Sequence, residues 1–165
     1  MYYNLLIGGA AGQGMDTMAA VLVKLLKKEG FAVLTTHDFM SRVRGGHNFV
    51  LIRFGDSPVY SHSMVLDGLI ALDDDTVSLH MDELKPDGFI LCDEKIETDD
   101  ARALKIPLRE MAKELGNPKV SGSIATGAVL KLFGLSLDGM KEILEKELKE
   151  PLIDINLKAY EKGFA

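Results

Sequence analysis

The chain opens with a short apolar run, residues 4–7, that passes straight into Gly8-Gly9-Ala10-Ala11-Gly12-Gln13-Gly14. A buried strand, a turn that admits little side chain, and a helix starting at once are the beginning of an α/β sheet. Met18, Leu22, Leu25 and Leu26 give the helix an apolar stripe at i, i+4, i+7 and i+8. Asp16 near its start and Lys24, Lys27 and Lys28 near its end suit the helix dipole, and Gly30 ends it. Residues 31–35 have the length and branching of a second strand. The chain is thus predicted to begin with a β-α-β unit and a right-handed parallel crossover.

The next segment leaves the doubly wound plan. Ser41-Arg42-Val43-Arg44-Gly45-Gly46-His47-Asn48 is a polar, basic loop that leads into residues 49–54 without an intervening helix. Antiparallel pairing is expected there. Gly55-Asp56-Ser57-Pro58 is a turn, and residues 59–63 are the expected returning strand of a hairpin, so the sheet should be mixed. Residues 68–72 read as a strand. A helix should follow from Asp73-Asp74-Asp75 toward Leu84, stopped by Pro86-Asp87-Gly88, with residues 89–92 as the next strand.

Residues 104–108 are a weaker strand and 109–115 a short helix broken at Gly116-Asn117-Pro118, after which Val120 is expected to open another short strand. Ser121-Gly122-Ser123-Ile124-Ala125-Thr126-Gly127-Ala128 starts a helix reaching Phe133 and stopped at Gly134. Residues 136–148 form an amphipathic helix, with Met140, Leu144 and Leu148 on one face and Pro151 as its stop. The tail from 152 lacks a strong core pattern, so ordering against another subunit is expected.

A chain of 165 residues fits a single domain spanning 1–165, able to remove roughly 70% of its unfolded surface from water. Its net charge of −6 provides no global positive field for nucleic acid or an anionic membrane, so neither is an expected partner. No apolar run approaches the ~20 residues of a spanning helix. The first residues carry neither a basic leader nor a small-residue cleavage site, which makes the cytoplasm the expected location. Cys92 is the only cysteine, which excludes an internal disulfide, a Cys-ligated iron–sulfur cluster and a multi-cysteine zinc site.

Two segments carry candidate chemistry. Backbone N–H groups at Gly9, Gly12, Gln13 and Gly14, before a helix, can form an anion pocket. The same pattern also serves as a tight turn for helix–sheet packing. It is not the Gly-x-Gly-x-x-Gly of dinucleotide binding, no acidic residue ends the second strand, and no Gly-Lys-Ser/Thr follows, so neither NAD nor a P-loop nucleotide is indicated. Arg42 and Arg44 can clamp a phosphate or carboxylate through their planar forks, with His47 and Asn48 extending the polar group. An exposed loop with one hydrogen-bonded histidine accounts for the same residues. No nucleophile elbow or metal-ligand spacing accompanies them, so no catalytic or metal residue is assigned. His37, His62 and His80 are scattered, and core, cap or surface roles outweigh metal binding. Cys92 closes an apolar strand as a small hydrophobe.

Taken together, Ile7-Gly8-Gly9-Ala10-Ala11-Gly12-Gln13-Gly14-Met15-Asp16-Thr17 and residues 41–48 resemble the γ subunit of 2-oxoacid:ferredoxin oxidoreductases. Residues 123–128 and Asn156-Leu157-Lys158-Ala159-Tyr160-Glu161-Lys162-Gly163 look like the C-terminal half of the same family, so the resemblance covers nearly the whole chain. It implies a three-layer α/β/α domain with a mixed, curled sheet. It also implies a complex that decarboxylates a 2-oxoacid, passes electrons to ferredoxin and releases acyl-CoA. Thiamine diphosphate with magnesium and 4Fe-4S clusters would then belong to α and β subunits or a ferredoxin-like δ subunit. This chain would be a scaffold and a candidate coenzyme A contact. The glycine pattern with Arg-Gly-Gly-His-Asn looks closer to 2-oxoglutarate or branched-chain types than to the pyruvate type. Two alternatives remain open, the β subunit of an indolepyruvate:ferredoxin oxidoreductase and a free-standing nucleotide-binding or regulatory module.

Overall fold

The computed structural model describes residues 2–10, 15–39, 47–58 and 65–164. In chain order they form β1 (Tyr2–Ala10), α1 (Met15–Lys28), β2 (Ala32–Phe39), β3 (His47–Gly55), β4 (Leu66–Ala71) and α2 (Asp74–His80). A 3₁₀ turn, Met81–Glu83, leads to β5 (Leu84–Asp93), β6 (Ala103–Ile106) and α3 (Leu108–Glu114). A second 3₁₀ turn, Pro118–Val120, precedes α4 (Ser121–Leu132), α5 (Met140–Glu147) and α6 (Glu150–Phe164).

The strands make one six-stranded sheet in the order β2-β3-β1-β4-β5-β6. β3 runs antiparallel to both neighbours, while β1, β4, β5 and β6 are parallel. The mixed α/β domain expected from the sequence is therefore present. The opening crossover differs in one respect: β1 and β2 run in the same direction but are not neighbours, because β3 lies between them. The expected return strand at 59–63 lies outside the described residues.

Strand alternation divides the core in two. Leu5 and Ile7 of β1 with Val50, Ile52 and Phe54 of β3 join a large cluster under α1, α3, α4, α5 and α6. Leu6, Phe49, Leu51, Leu69 and Ile90 face a smaller cluster that includes Val77 of α2. The two helical layers are thus unequal among the described residues. The stripe read from the sequence of α1 is buried in full, at Met18, Leu22, Leu25 and Leu26. That helix ends as a Schellman motif: Phe31 N–H donates to Leu26 O, Gly30 N–H donates to Lys27 O, and Gly30 has φ +93°.

Four expected boundaries move, each for a local reason. α2 stops at His80, and Pro86-Asp87-Gly88 lies inside β5, where a register shift between the Leu66/Leu84 and Gly68/Phe89 pairs accommodates a residue with no N–H. Val120 belongs to a 3₁₀ turn rather than a strand, since the Asn117 side chain accepts from Lys119 N–H and starts a helical turn. α5 begins at Met140 instead of 136, because Gly139 sits at φ +82° and breaks the backbone there.

Pro151 does not end a helix. It occupies the first turn of α6, where a missing N–H costs nothing. The tail is consequently ordered by this chain itself. Ala159 and Tyr160 are fully buried against α4, and a Cβ on Gly127 would collide with the Tyr160 carbonyl while one on Gly163 would collide with that of Ile124. Small residues in α4 let the two backbones touch. No helix among the described residues is long and apolar enough to cross a membrane.

Candidate functional site

The chain leaves β1 toward β2 on one side of the sheet and leaves β4 toward β5 on the other. The carboxyl ends of β1 and β4 are thus where the winding direction changes, the position where open α/β sheets leave a crevice. Leu72 N–H donates to Gly8 O at 2.9 Å and keeps the two ends together.

Into this end the register delivers both polar segments. Gly9 pairs with Asn48 and Ala10 with His47 across the antiparallel β1/β3 ladder, while Phe39 of β2 pairs with Asn48 from the other side. The glycine-rich segment 11–14 therefore leaves from Ala10, directly opposite the residue on which the basic segment 40–46 arrives. The two blocks are 30-odd residues apart in the sequence, and the β1/β3 ladder pairs the described residues that flank them. Gly12, Gln13, Gly14, Arg42 and Arg44 lie outside the described residues, as does the side chain of His47.

Asn48 is only 5% exposed, and its Oδ1 has no hydrogen-bond partner among the described residues. An unpaired buried carbonyl costs about 1–3 kcal/mol, so it marks a place where an N–H or O–H donor from outside is stabilising. Gly9, its partner, is buried and carries no side chain beside it.

A second feature at the same end has no local sequence signal. His37 Nδ1 lies 3.1 Å from Asp16 Oδ1, linking the end of β2 to the first turn of α1. The pair joins residues 21 positions apart, a contact that no local spacing reveals. His80 is elsewhere, on the opposite face, with Nδ1 3.0 Å from Glu83 Oε2 and its ring edge-on to Phe49.

The carboxylates at neighbouring strand ends are committed to structure. Asp73 caps α2 by accepting from Thr76 N–H at 3.0 Å. Asp93, buried at the end of β5, accepts from Arg109 N–H at 2.9 Å and Lys95 N–H at 3.0 Å. Cys92 is fully buried, and burial pushes its thiol pKa up, which suits an unreactive hydrophobe.

Comparison with known proteins agrees with this architecture. Residues 4–165 match the family model described as pyruvate ferredoxin/flavodoxin oxidoreductase. The chain is 23% identical over 163 residues to the α subunit of 2-oxoacid:ferredoxin oxidoreductase 2 of Aeropyrum pernix, covering 93% of this chain and 25% of that one. It thus spans about a quarter of the length of such relatives. Two shorter relatives are spanned almost entirely. The indolepyruvate oxidoreductase subunit IorB of Pyrococcus horikoshii is 25% identical, with 98% and 94% covered. The 2-oxoglutarate synthase subunit KorC of Methanocaldococcus jannaschii is 24% identical, with 99% and 93% covered.

Among solved structures, the γ subunit of a keto/oxoacid ferredoxin oxidoreductase from Geobacter sulfurreducens superposes with a TM-score of 0.82 at 24% identity, covering 99% of this chain and 95% of that one. A 2-oxoglutarate:ferredoxin oxidoreductase from Magnetococcus marinus, solved with 2-oxoglutarate, coenzyme A and succinyl-CoA bound, superposes with a TM-score of 0.84 at 24% identity, over 99% of this chain and 30% of that one. Both establish the fold.

Proposed function

Because the chain belongs to the pyruvate ferredoxin/flavodoxin oxidoreductase family, we propose that it is the γ-type subunit of a 2-oxoacid:ferredoxin oxidoreductase and contributes a contact to coenzyme A. The observation that carries the coenzyme A reading is the buried Oδ1 of Asn48, which has no hydrogen-bond partner among the described residues and is set opposite Gly9. Coenzyme A offers amide and amino N–H donors together with phosphates. Asn48 fits a donor, and Arg42 and Arg44 with the N–H groups of segment 11–14 fit the phosphates. When bound, coenzyme A supplies the thiol that receives the acyl group.

The remaining chemistry does not fit these residues. A single buried cysteine cannot ligate an iron–sulfur cluster, and the sequence contains no Gly-Asp-Gly followed by Asn-Asn for thiamine diphosphate. Thiamine diphosphate, magnesium and clusters are accordingly assigned to α and β partners or a ferredoxin-like δ subunit, with ferredoxin as the acceptor. A cytoplasmic location goes with this role. The substrate we favour is 2-oxoglutarate or a branched-chain 2-oxoacid, on the likeness of the glycine pattern and residues 44–48 to those types.

The test is reconstitution with purified α and β subunits, followed by coenzyme A-dependent ferredoxin reduction with a panel of 2-oxoacids including indolepyruvate. Turnover that requires this chain supports the reading. Full activity without it, or association with neither subunit, contradicts it. Preference for indolepyruvate would place the chain beside the IorB type instead.

A further inference from the structure

Helix α6 is seated by its second half. Ala159 and Tyr160 are fully buried, whereas none of residues 150–158 is, although Leu152, Ile153, Ile155 and Leu157 are among them. Beside this first half lies a trough of about 610 Å³ between α5 and α6. Lys141, Glu145 and Leu148 line it from α5 and its C-cap, spaced i, i+4 and i+7 on one helix face, and Glu150, Ile153, Asp154 and Leu157 line it from α6. Leu148, Ile153 and Leu157 are half-buried and form its floor, while all four charged side chains are exposed at its rim. Among the described residues, the Glu145 and Glu150 carboxylates have no hydrogen-bond or ion-pair partner. Asp154 pairs with Lys158 at 3.1 Å, but both side chains are well exposed, and such a pair one helical turn apart is held weakly. Lys141 is the one cation lining the trough.

We infer that this trough docks a basic amphipathic helix of a partner subunit, an inference that rests on the chain acting as a subunit. Two helices flanking an apolar floor leave a groove that takes the side-chain ridge of a third. The walls include no strand edge, so an extended segment would find no backbone to pair with. Small-molecule sites orient their ligand with a few enclosed polar groups, and here every polar lining residue is exposed. Charge selects among helices. An acidic one would meet three carboxylates against one lysine, and an apolar one would leave Glu145 and Glu150 unpaired at its sides. A second copy of this chain would bring a net charge of −6 to the same acidic rim. Lysines or arginines on either side of a leucine or isoleucine stripe answer both the rim and the floor.

Two measurements on the full chain separate this inference from the subunit reading. In the first, methyl NMR signals are followed while one of two synthetic helical peptides is added, both with the same leucine stripe, one flanked by lysines and the other by glutamates. The lysine peptide should move the signals of Leu148, Ile153 and Leu157, the glutamate peptide should not, and Glu145→Lys with Glu150→Lys should weaken the binding by about tenfold. Equal response to both peptides, shifts scattered away from the trough, or no response overturns the inference. In the second, association with purified α and β subunits is measured at several salt concentrations. The double reversal should weaken it by about tenfold and flatten its salt dependence, and the milder Glu145→Gln with Glu150→Gln should weaken it by about threefold, thermal unfolding of the free variants confirming that these exposed substitutions leave the fold intact. If wild type associates and both double variants do so equally tightly, the trough assignment falls and the subunit reading stands. If wild type does not associate at all, both fall.

Discussion

Gly9 of β1 and Asn48 of β3 are register partners, one without a side chain and the other with a buried carbonyl oxygen that no described residue satisfies. That pairing sets the described residue Ala10, which precedes the glycine-rich segment, opposite His47, which follows the basic segment, at one end of the sheet. In the proposed site the two segments are complementary. The first would offer backbone N–H groups, the second guanidinium groups and the Asn48 amide.

Purified alone, the chain should be colourless and without 2-oxoacid turnover, because its only cysteine is buried and it contains no thiamine-diphosphate motif. The check is a visible spectrum and an assay with ferredoxin, coenzyme A and a 2-oxoacid. Turnover by the isolated chain would remove the reason for assigning partners.

Arg44→Ala should leave the fold unchanged while raising the apparent KM for coenzyme A, or weakening subunit assembly, by about tenfold, the worth of one charge-assisted contact. Which of the two moves tells whether Arg44 meets ligand or protein. If Arg44→Ala and Arg42→Ala both leave assembly, coenzyme A dependence and turnover unchanged, the loop is solvated surface.

Gly127→Ala should destabilise the chain by about 1–3 kcal/mol, since a methyl group there meets the Tyr160 backbone rather than a side chain that can rotate away. Denaturant unfolding reads this directly. The same change at Gly30 has open space around it but a left-handed backbone to satisfy, so its cost is of different origin. An unchanged midpoint for Gly127→Ala would show that α6 is not seated against α4 as described.

Acid stability should carry the mark of Asp100. Hydrogen bonds from the Arg102 side chain and backbone hold its carboxyl pKa down to about 2, from an ordinary value of 3.8. A pKa depressed in the folded state contributes stability that is present above the ordinary value and lost as pH falls toward about 2. Arg102 also donates to Leu84 O and Lys85 O at 3.1 Å, so the pair ties β5 to the segment before β6. Asp100→Asn should lower stability at neutral pH and flatten the loss between about pH 4 and pH 2. A variant with the same acid profile as wild type would dissociate the pair from folding.

The elements with strong local signals were legible in the sequence. Helix α1 lies where its stripe and Gly30 place it, because an amphipathic face and a left-handed glycine are decided within a few residues. Antiparallel β3 was legible from the missing helix, but its place between β1 and β2 was not, since strand order depends on contacts far apart in sequence. Pro151 misled because a proline that stops one helix and one that starts the next look alike without the Glu150 turn in view. For the candidate site, the residue types were legible while their meeting was not. In the sequence His37 is one of three scattered histidines and Asp16 a charge at a helix start, with nothing to link them, and the Gly9–Asn48 pairing exists only once register is known.

The most direct test is the apparent KM for coenzyme A in the assembled enzyme carrying Asn48→Leu. Leucine keeps the branching of asparagine and removes the carbonyl oxygen that no described residue satisfies, but it is larger, so the unfolding temperature is measured beside KM and KM is read only where the fold is retained. If Asn48 Oδ1 accepts a hydrogen bond from coenzyme A, KM should rise by about fivefold to tenfold while the unfolding temperature is maintained. An undiminished unfolding temperature together with an unchanged KM would contradict the assignment of coenzyme A to this end of the sheet.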